Sequence, residues 1–179
     1  MPWQKFWKRL TIPSKALNLM AAESIKVNMG ELKTGKNGDL LAAYGVGSCI
    51  IVVCYHKQRP IAAMLHGILP EKPQGKKDAN ENKYLDAGIE NLVKVMIKEG
   101  VSMKDMEAKI FGGAKMFDVK SDTEAIGDRN IKKARESLSS KGIIIISEDT
   151  GSNYGRTIEF SVNTKMAVVK SFSAGTKTI

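Results

Sequence analysis

Two residues in this chain could together attack a carbonyl. Cys49 follows the small pair Gly47-Ser48 and opens the apolar, β-branched run Ile50-Ile51-Val52-Val53-Cys54-Tyr55. His66, one of two histidines, closes a second apolar run, Ile61-Ala62-Ala63-Met64-Leu65, and is followed by Gly67. A thiolate is a strong nucleophile, and an imidazole can accept the thiol proton and later deliver it to a leaving group. If the two runs are adjacent strands, thiol and imidazole can meet at a sheet edge, and the chemistry on offer is nucleophilic attack on a carbonyl. Gly47 and Ser48 let a substrate approach the backbone closely. The amides of this turn could then face a developing oxyanion. A neighbouring imidazolium would also lower the thiol pKa.

The other chemically capable residues read as structural. Cys54 sits five residues beyond Cys49 on the same strand, so it faces the opposite side and belongs to the core. His56 falls in the polar connection Tyr55-His56-Lys57-Gln58-Arg59-Pro60 and reads as a solvated surface residue. No metal site is expected, because the spacings CxxC and HExxH are absent and the two pairs of cysteine and histidine do not converge. No cofactor is expected either. Gly45-x-Gly47 lacks the third glycine of a dinucleotide fingerprint and runs into a strand where that fingerprint needs a helix. Gly112-Gly113 reads as a tight turn at a strand end.

The positioning elements follow from periodicity. Ile25 to Met29 alternates as a strand, Thr34 to Asp39 is turn chemistry, and Leu40 to Tyr44 leads as a strand into the glycine turn. Pro70 to Asn82 reads as a mobile loop close to His66. Tyr84 to Gly100 carries an apolar helical stripe of Leu85, Ile89, Leu92, Val93 and Met96, ended by Gly100. A second helix is expected over about 129–140, with Ile131, Ala134 and Leu138 on its apolar side. Ile143 to Ile146 is wholly apolar, as in a strand covered on both faces. The polar stretch 148–156 reads as a loop, and 157–162 with 166–172 as a hairpin. About eight strands and two main helices result: an α/β (α+β) protein.

Composition narrows the class. The hydrophobic share of 42% and charged share of 26% are those of a globular protein. No apolar run approaches the ~20 residues of a membrane-spanning helix. Two unevenly placed cysteines make no disulfide framework and fit a reducing cytoplasm. The net charge is +9. Residues 1–36 hold seven Lys/Arg against Glu23 and Glu31, a surplus of +5. Residues 37–179 hold 21 basic against 17 acidic, a surplus of +4. The excess is thus concentrated in the N-terminal segment. With aromatics at only 6%, a nucleic-acid-binding surface is not expected. Residues 1–23 read as a basic amphipathic appendage to a domain spanning 24–179. Within the appendage Trp3, Phe6, Trp7 and Leu10 fall at helical spacing, with lysines and an arginine opposite. This stretch, residues 3–10, suits weak contact with an anionic membrane surface or docking on a partner; a tail that packs on its own domain or is disordered is the alternative.

Gly45-Val46-Gly47-Ser48-Cys49, His66 seventeen residues on, and Ile68-Leu69-Pro70 resemble the CheD family, the chemoreceptor glutamine deamidases of bacterial chemotaxis. So do Lys83-Tyr84-x-Asp86, Lys109 through Phe117, Ile126-Gly127-Asp128-Arg129-Asn130, and Glu148 through Asn153. The likeness runs in order from about Ser24 to Phe172. It implies a mixed β-sheet sandwich with helices packed outside, related to glutamine-deamidating bacterial toxins, with Cys49 as nucleophile and His66 as base. It further implies a reaction that converts receptor glutamine to glutamate, with release of ammonia through a thioester. The implied partners are methyl-accepting chemotaxis proteins and, in many species, a CheC-type phosphatase; the implied location is the cytoplasm, at receptor arrays. One position departs. The family commonly has a threonine six residues before the cysteine, assigned to orienting the histidine, and here that position is Ala43. Either another group orients His66, or the chain is a weakly active or non-catalytic regulator that docks receptors or CheC. Tyr154-Gly155-Arg156 is a second departure, without a physical account at the level of sequence.

Overall fold

A computed structural model describes residues 24–75, 77–115 and 124–179. The amphipathic appendage expected over 1–23 lies outside the described residues. Two five-stranded sheets stack face to face, and two helices cover the outer face of one of them. The order is β1 (Ser24–Lys26), β2 (Leu32–Gly35), β3 (Leu40–Val46), β4 (Ile50–His56), β5 (Ala62–Gly67), α1 (Leu85–Lys98), β6 (Met106–Gly112), α2 (Ile126–Ser139), β7 (Ile144–Thr150), β8 (Arg156–Ser161), β9 (Ala167–Ser171) and β10 (Gly175–Thr178). The first sheet runs β1-β3-β8-β9-β10 and the second β2-β5-β4-β6-β7. This is the mixed α+β sandwich that the family resemblance implies.

β4 explains the layering. All seven of its residues are buried, because one face meets the helices and the other meets the opposite sheet. Ile50, Val52 and Cys54 join the cluster under α1 and α2, whereas Ile51, Val53 and Tyr55 join the cluster between the sheets. A β-strand alternates sides at every residue, so one apolar run supplies both cores. Cys54 falls on the helix side, as its five-residue spacing from Cys49 requires.

Several elements differ from the sequence reading. Leu32–Gly35 forms an edge strand antiparallel to β5, although Thr34-Gly35 looked like the start of a turn. Gly175–Thr178 adds a tenth strand, exposed throughout and held by pairing with β9. The apolar run at β7 is not covered on both faces. β7 is an edge strand, with Ile144 61% and Ile146 50% exposed. Its other side packs under α2 through Ile143 and Ile145. β7 also runs on through Asp149, in the stretch read as loop. That carboxylate lies 3.3 Å from the Arg156 guanidinium and 3.0 Å from Lys177 Nζ, and the charge compensation permits its burial. The Lys177 contact is an ion pair by distance without hydrogen-bond alignment. The segment 70–82 is tied at its base: Ile68 and Leu69 amides donate to the Lys83 carbonyl, and the Leu85 amide donates to that of Leu69.

Candidate functional site

β4 and β5 are antiparallel neighbours, with Ile51 opposite His66 and Ile50 opposite Gly67. Cys49 precedes β4 by one residue, at the end of the Gly47-Ser48-Cys49 bend rather than at the strand's first position. It packs, as Ile51 does, against the cluster between the sheets. His66 shares the face of Met64, which belongs to that same cluster. Thiol and imidazole are therefore diagonal neighbours on one face of adjacent strands, at the rim of the sandwich. A diagonal pair has backbones about 7–8 Å apart, within reach of long or aromatic side chains. Cys49 is half-buried and His66 only 2% exposed.

The bend carrying Cys49 is fastened through its carbonyls. The Gly47 carbonyl accepts from the Ala114 amide at 2.9 Å, and the Cys49 carbonyl from the Gly113 amide at 2.8 Å. The Ser48 carbonyl accepts from Asn130 Nδ2 at 2.9 Å. Among the described residues, no backbone or side-chain acceptor takes the amides of Gly47 or Ser48, while the Cys49 amide faces its own thiol. This leaves donors available at the turn, as an oxyanion site requires.

Gly112-Gly113 is thus more than a tight turn. A Cβ on Gly112 would stand far inside contact distance of the Cys49 carbonyl oxygen, and its φ of 108° is open only to glycine. Gly113 in turn packs backbone to backbone on Gly127, in the first turn of α2. This close approach brings Asn130 over the site. Asn130 is fully buried, and its Nδ2 also donates to the Ile68 carbonyl at 2.9 Å. One side chain therefore bridges the bend before β4 and the chain just beyond His66. The sequence reading missed it, although a signal was present. Asn130 sits one turn before Ala134 on the apolar stripe of α2, where a polar residue needs buried partners.

The imidazole is fixed as well. His66 Nδ1 lies 3.2 Å from the Val27 carbonyl oxygen. A carbonyl only accepts, so Nδ1 carries the proton and the neutral ring presents its lone pair at Nε2. Nε2 is buried and has no protein partner among the described residues. Burial pulls the His66 pKa down, partly offset by the Val27 carbonyl. Burial pushes the Cys49 thiol up, partly offset by its own backbone amide. Both shifts favour the neutral forms of the thiol and the imidazole. Ala43 is fully buried in the cluster between the sheets and offers no polar group.

His56 differs from its solvated reading. It is only 7% exposed, and its Nδ1 accepts the amides of Gln58 and Arg59 at 3.0 Å each. It serves as a turn cap at the far end of β4 from Cys49. Cys54 is fully buried, with its thiol pushed up to about 12. Among the described residues, no three His, Cys, Asp or Glu side chains gather as a metal site would require. No described helix is long and apolar enough to cross a membrane.

An α+β sandwich that sets a cysteine bend beside a strand histidine at its rim is suited to acyl transfer by a thiol. The chain belongs to the CheD family, described as CheD chemotactic sensory transduction, whose model matches residues 68–171. Among similar proteins is the "Probable chemoreceptor glutamine deamidase CheD" of Caldanaerobacter subterraneus subsp. tengcongensis. It is 39% identical over 162 residues, covering 89% of this chain and all of the relative. A protein of the same name from Pyrococcus abyssi is 40% identical over 141 residues, 78% of this chain and 86% of its own. A CheD 1 from Methanosarcina acetivorans is 41% identical over 156 residues, 87% of this chain and 96% of its own. The family model begins two residues beyond His66, but the Caldanaerobacter alignment is long enough to span both Cys49 and His66.

Proposed function

We propose that this protein is a chemoreceptor glutamine deamidase, an amidohydrolase acting on glutamine side chains of methyl-accepting chemotaxis proteins in the cytoplasm. The mechanism is supported by the pairing of the His66 strand with the strand that Cys49 precedes, with His66 Nδ1 against the Val27 carbonyl and no partner at Nε2 among the described residues. Cys49 Sγ attacks the side-chain carboxamide carbon of a receptor glutamine, and His66 Nε2 takes the thiol proton as the S–C bond forms. Negative charge collects on the former carbonyl oxygen, where the amides of the Gly47-Ser48-Cys49 bend can receive it. His66 then passes its proton to the amide nitrogen. The C–N bond breaks, ammonia departs and a thioester remains. Water attacks the thioester with His66 again as base. The products are glutamate and the restored thiol.

A neutral resting pair suits this sequence. The proton moves during attack, so no charge has to be held in a desolvated site beforehand. Replacing a carboxamide by a carboxylate adds negative charge to the receptor and leaves a side chain fit for methylation. Docking of a CheC-type phosphatase, and weak membrane contact through residues 3–10, belong to the proposal on the resemblance and the sequence pattern respectively.

The test is to incubate the full chain with the cytoplasmic fragment of a receptor and follow glutamine-to-glutamate conversion by peptide mass and released ammonia. Conversion is expected with the native chain and is abolished in Cys49→Ala and His66→Ala. Persistent conversion in Cys49→Ala would exclude the thioester route. No conversion by the native chain, with receptor binding retained, would instead identify a non-catalytic regulator.

A further inference from the structure

We infer that the backbone carbonyl of Val27 is the positioning group for His66, in the role that a hydroxyl at position 43 cannot fill here. The inference rests on the deamidase reading above and goes beyond it. β1 pairs in parallel with β3, Lys26 opposite Ala42, and the Val27 amide donates to the Ala42 carbonyl at 2.8 Å. The chain at Val27 therefore runs alongside Ala43. From there it crosses to the other sheet as a short turn, in which the Glu31 amide donates to the Asn28 carbonyl. That turn grips His66 at three points. Val27 O accepts from Nδ1, the Gly30 amide donates to the His66 carbonyl at 2.8 Å, and the His66 amide donates to the Glu31 carbonyl at 3.0 Å. The two backbone bonds fix where the side chain starts, and the third fixes how the ring is turned.

A main-chain acceptor at Nδ1 has three consequences. It selects the tautomer with the lone pair on Nε2, which is the one a general base needs. It stabilises the imidazolium formed when the thiol proton arrives. It also does so without a side chain, so substitution of Val27 by another apolar residue leaves the acceptor in place. Ala43 then ceases to be a defect. Val27 and Ala43 both line the cluster between the sheets, and the site is complete without a hydroxyl there.

The test weakens that carbonyl and nothing else in the ring's surroundings. Replacing Asn28 by its α-hydroxy acid counterpart turns the Val27–Asn28 peptide into an ester, whose carbonyl is a poorer acceptor. Asn28 is exposed. The lost Asn28 N–H donates to Glu31 Oε2, at 3.0 Å, so the ester is compared with Glu31→Ala, which loses that same bond and keeps the Val27 amide carbonyl. Nitrogen-15 NMR of the native chain at neutral pH is expected to show His66 protonated at Nδ1, and the ester chain is expected to lose that preference. The ester should lower kcat about three- to tenfold, with KM within about twofold, as expected for one weakened hydrogen bond to a charge-developing group. The kcat of the ester chain should fall below that of Glu31→Ala, and equal values in the two would overturn the role of Val27. A proton on Nε2 in the native chain, or an ester chain with native kcat, overturns the role of Val27 while leaving the deamidase intact. Turnover that survives Cys49→Ala overturns the thioester route, and a native chain that converts no glutamine overturns the deamidase reading itself.

Discussion

Asn130 is the residue on which both halves of the site depend. Its amide nitrogen supplies a donor to the Ser48 carbonyl on the Cys49 side and to the Ile68 carbonyl on the His66 side. Asn130→Ala would leave two carbonyls without their donor at a fully buried position. Loss of a buried partner costs about 1–3 kcal/mol. We expect Asn130→Ala to lower the unfolding free energy by roughly 2–4 kcal/mol, measured by urea denaturation. We also expect turnover to fall at least about tenfold under conditions where the variant is folded, because the bend and the end of β5 are no longer held in register. Asn130→Asp would do no better: an ionised carboxylate has no hydrogen to donate, and both of its neighbours are acceptors. A variant that kept native turnover would show that the Gly113 and Ala114 amides suffice to hold the bend.

At the level of elements, β6 and α2 form the floor under Cys49, and the contact is made by backbone rather than side chains. Gly112→Ala places a methyl against the Cys49 carbonyl, and the obstacle is main chain that cannot step aside. Gly142→Ala is the matching control. Its φ is 67°, and a Cβ there meets nothing within 4 Å. The control should cost about 1–2 kcal/mol, from the left-handed backbone alone, and leave turnover intact. Gly112→Ala should cost clearly more and suppress turnover, which thermal unfolding and the ammonia assay would report together. The same elements show what could be read in advance. The stripe of α1 and the alternation of β4 announce themselves, because burial on one or two faces writes a period into the sequence. β2 and β10 do not. As edge strands they bury little side-chain surface, and only backbone pairing defines them. β7 misleads in the other direction: its isoleucines resemble a doubly covered strand, yet two of the three, Ile144 and Ile146, face solvent at the sheet edge.

For the whole molecule, the paired strands with Cys49 and His66 were legible, because thiol, imidazole and apolar runs are all side-chain signals. The Val27 carbonyl was not, since every residue carries one and only the fold says which carbonyl meets the ring. The burial of His56 was hidden for a related reason, because its partners are the amides of Gln58 and Arg59. These two buried imidazoles govern how the fold responds to acid. In both, burial lowers the pKa from that of a free imidazole. For His56 the two amides donated to Nδ1 act in the same direction, since a protonated Nδ1 could not accept them. A group with a depressed basic pKa binds its proton more readily in the unfolded chain. Stability is therefore full above the unfolded value of roughly 6.5, and is lost as pH falls below it toward the folded pKa. The slope contributed by His66 is at most about 1.4 kcal/mol per pH unit. The carboxylates with lowered pKa, Glu31, Glu71, Asp78 and Glu90, act in the same direction but nearer the carboxylate range. The interval between pH 6.5 and about 5 thus isolates the histidines. Urea midpoints should fall across it in the native chain, and less steeply in His66→Gln and His56→Gln. An unchanged slope in both variants would mean that neither ring is held neutral by the fold, and the neutral thiol–imidazole resting state would have to be abandoned with it.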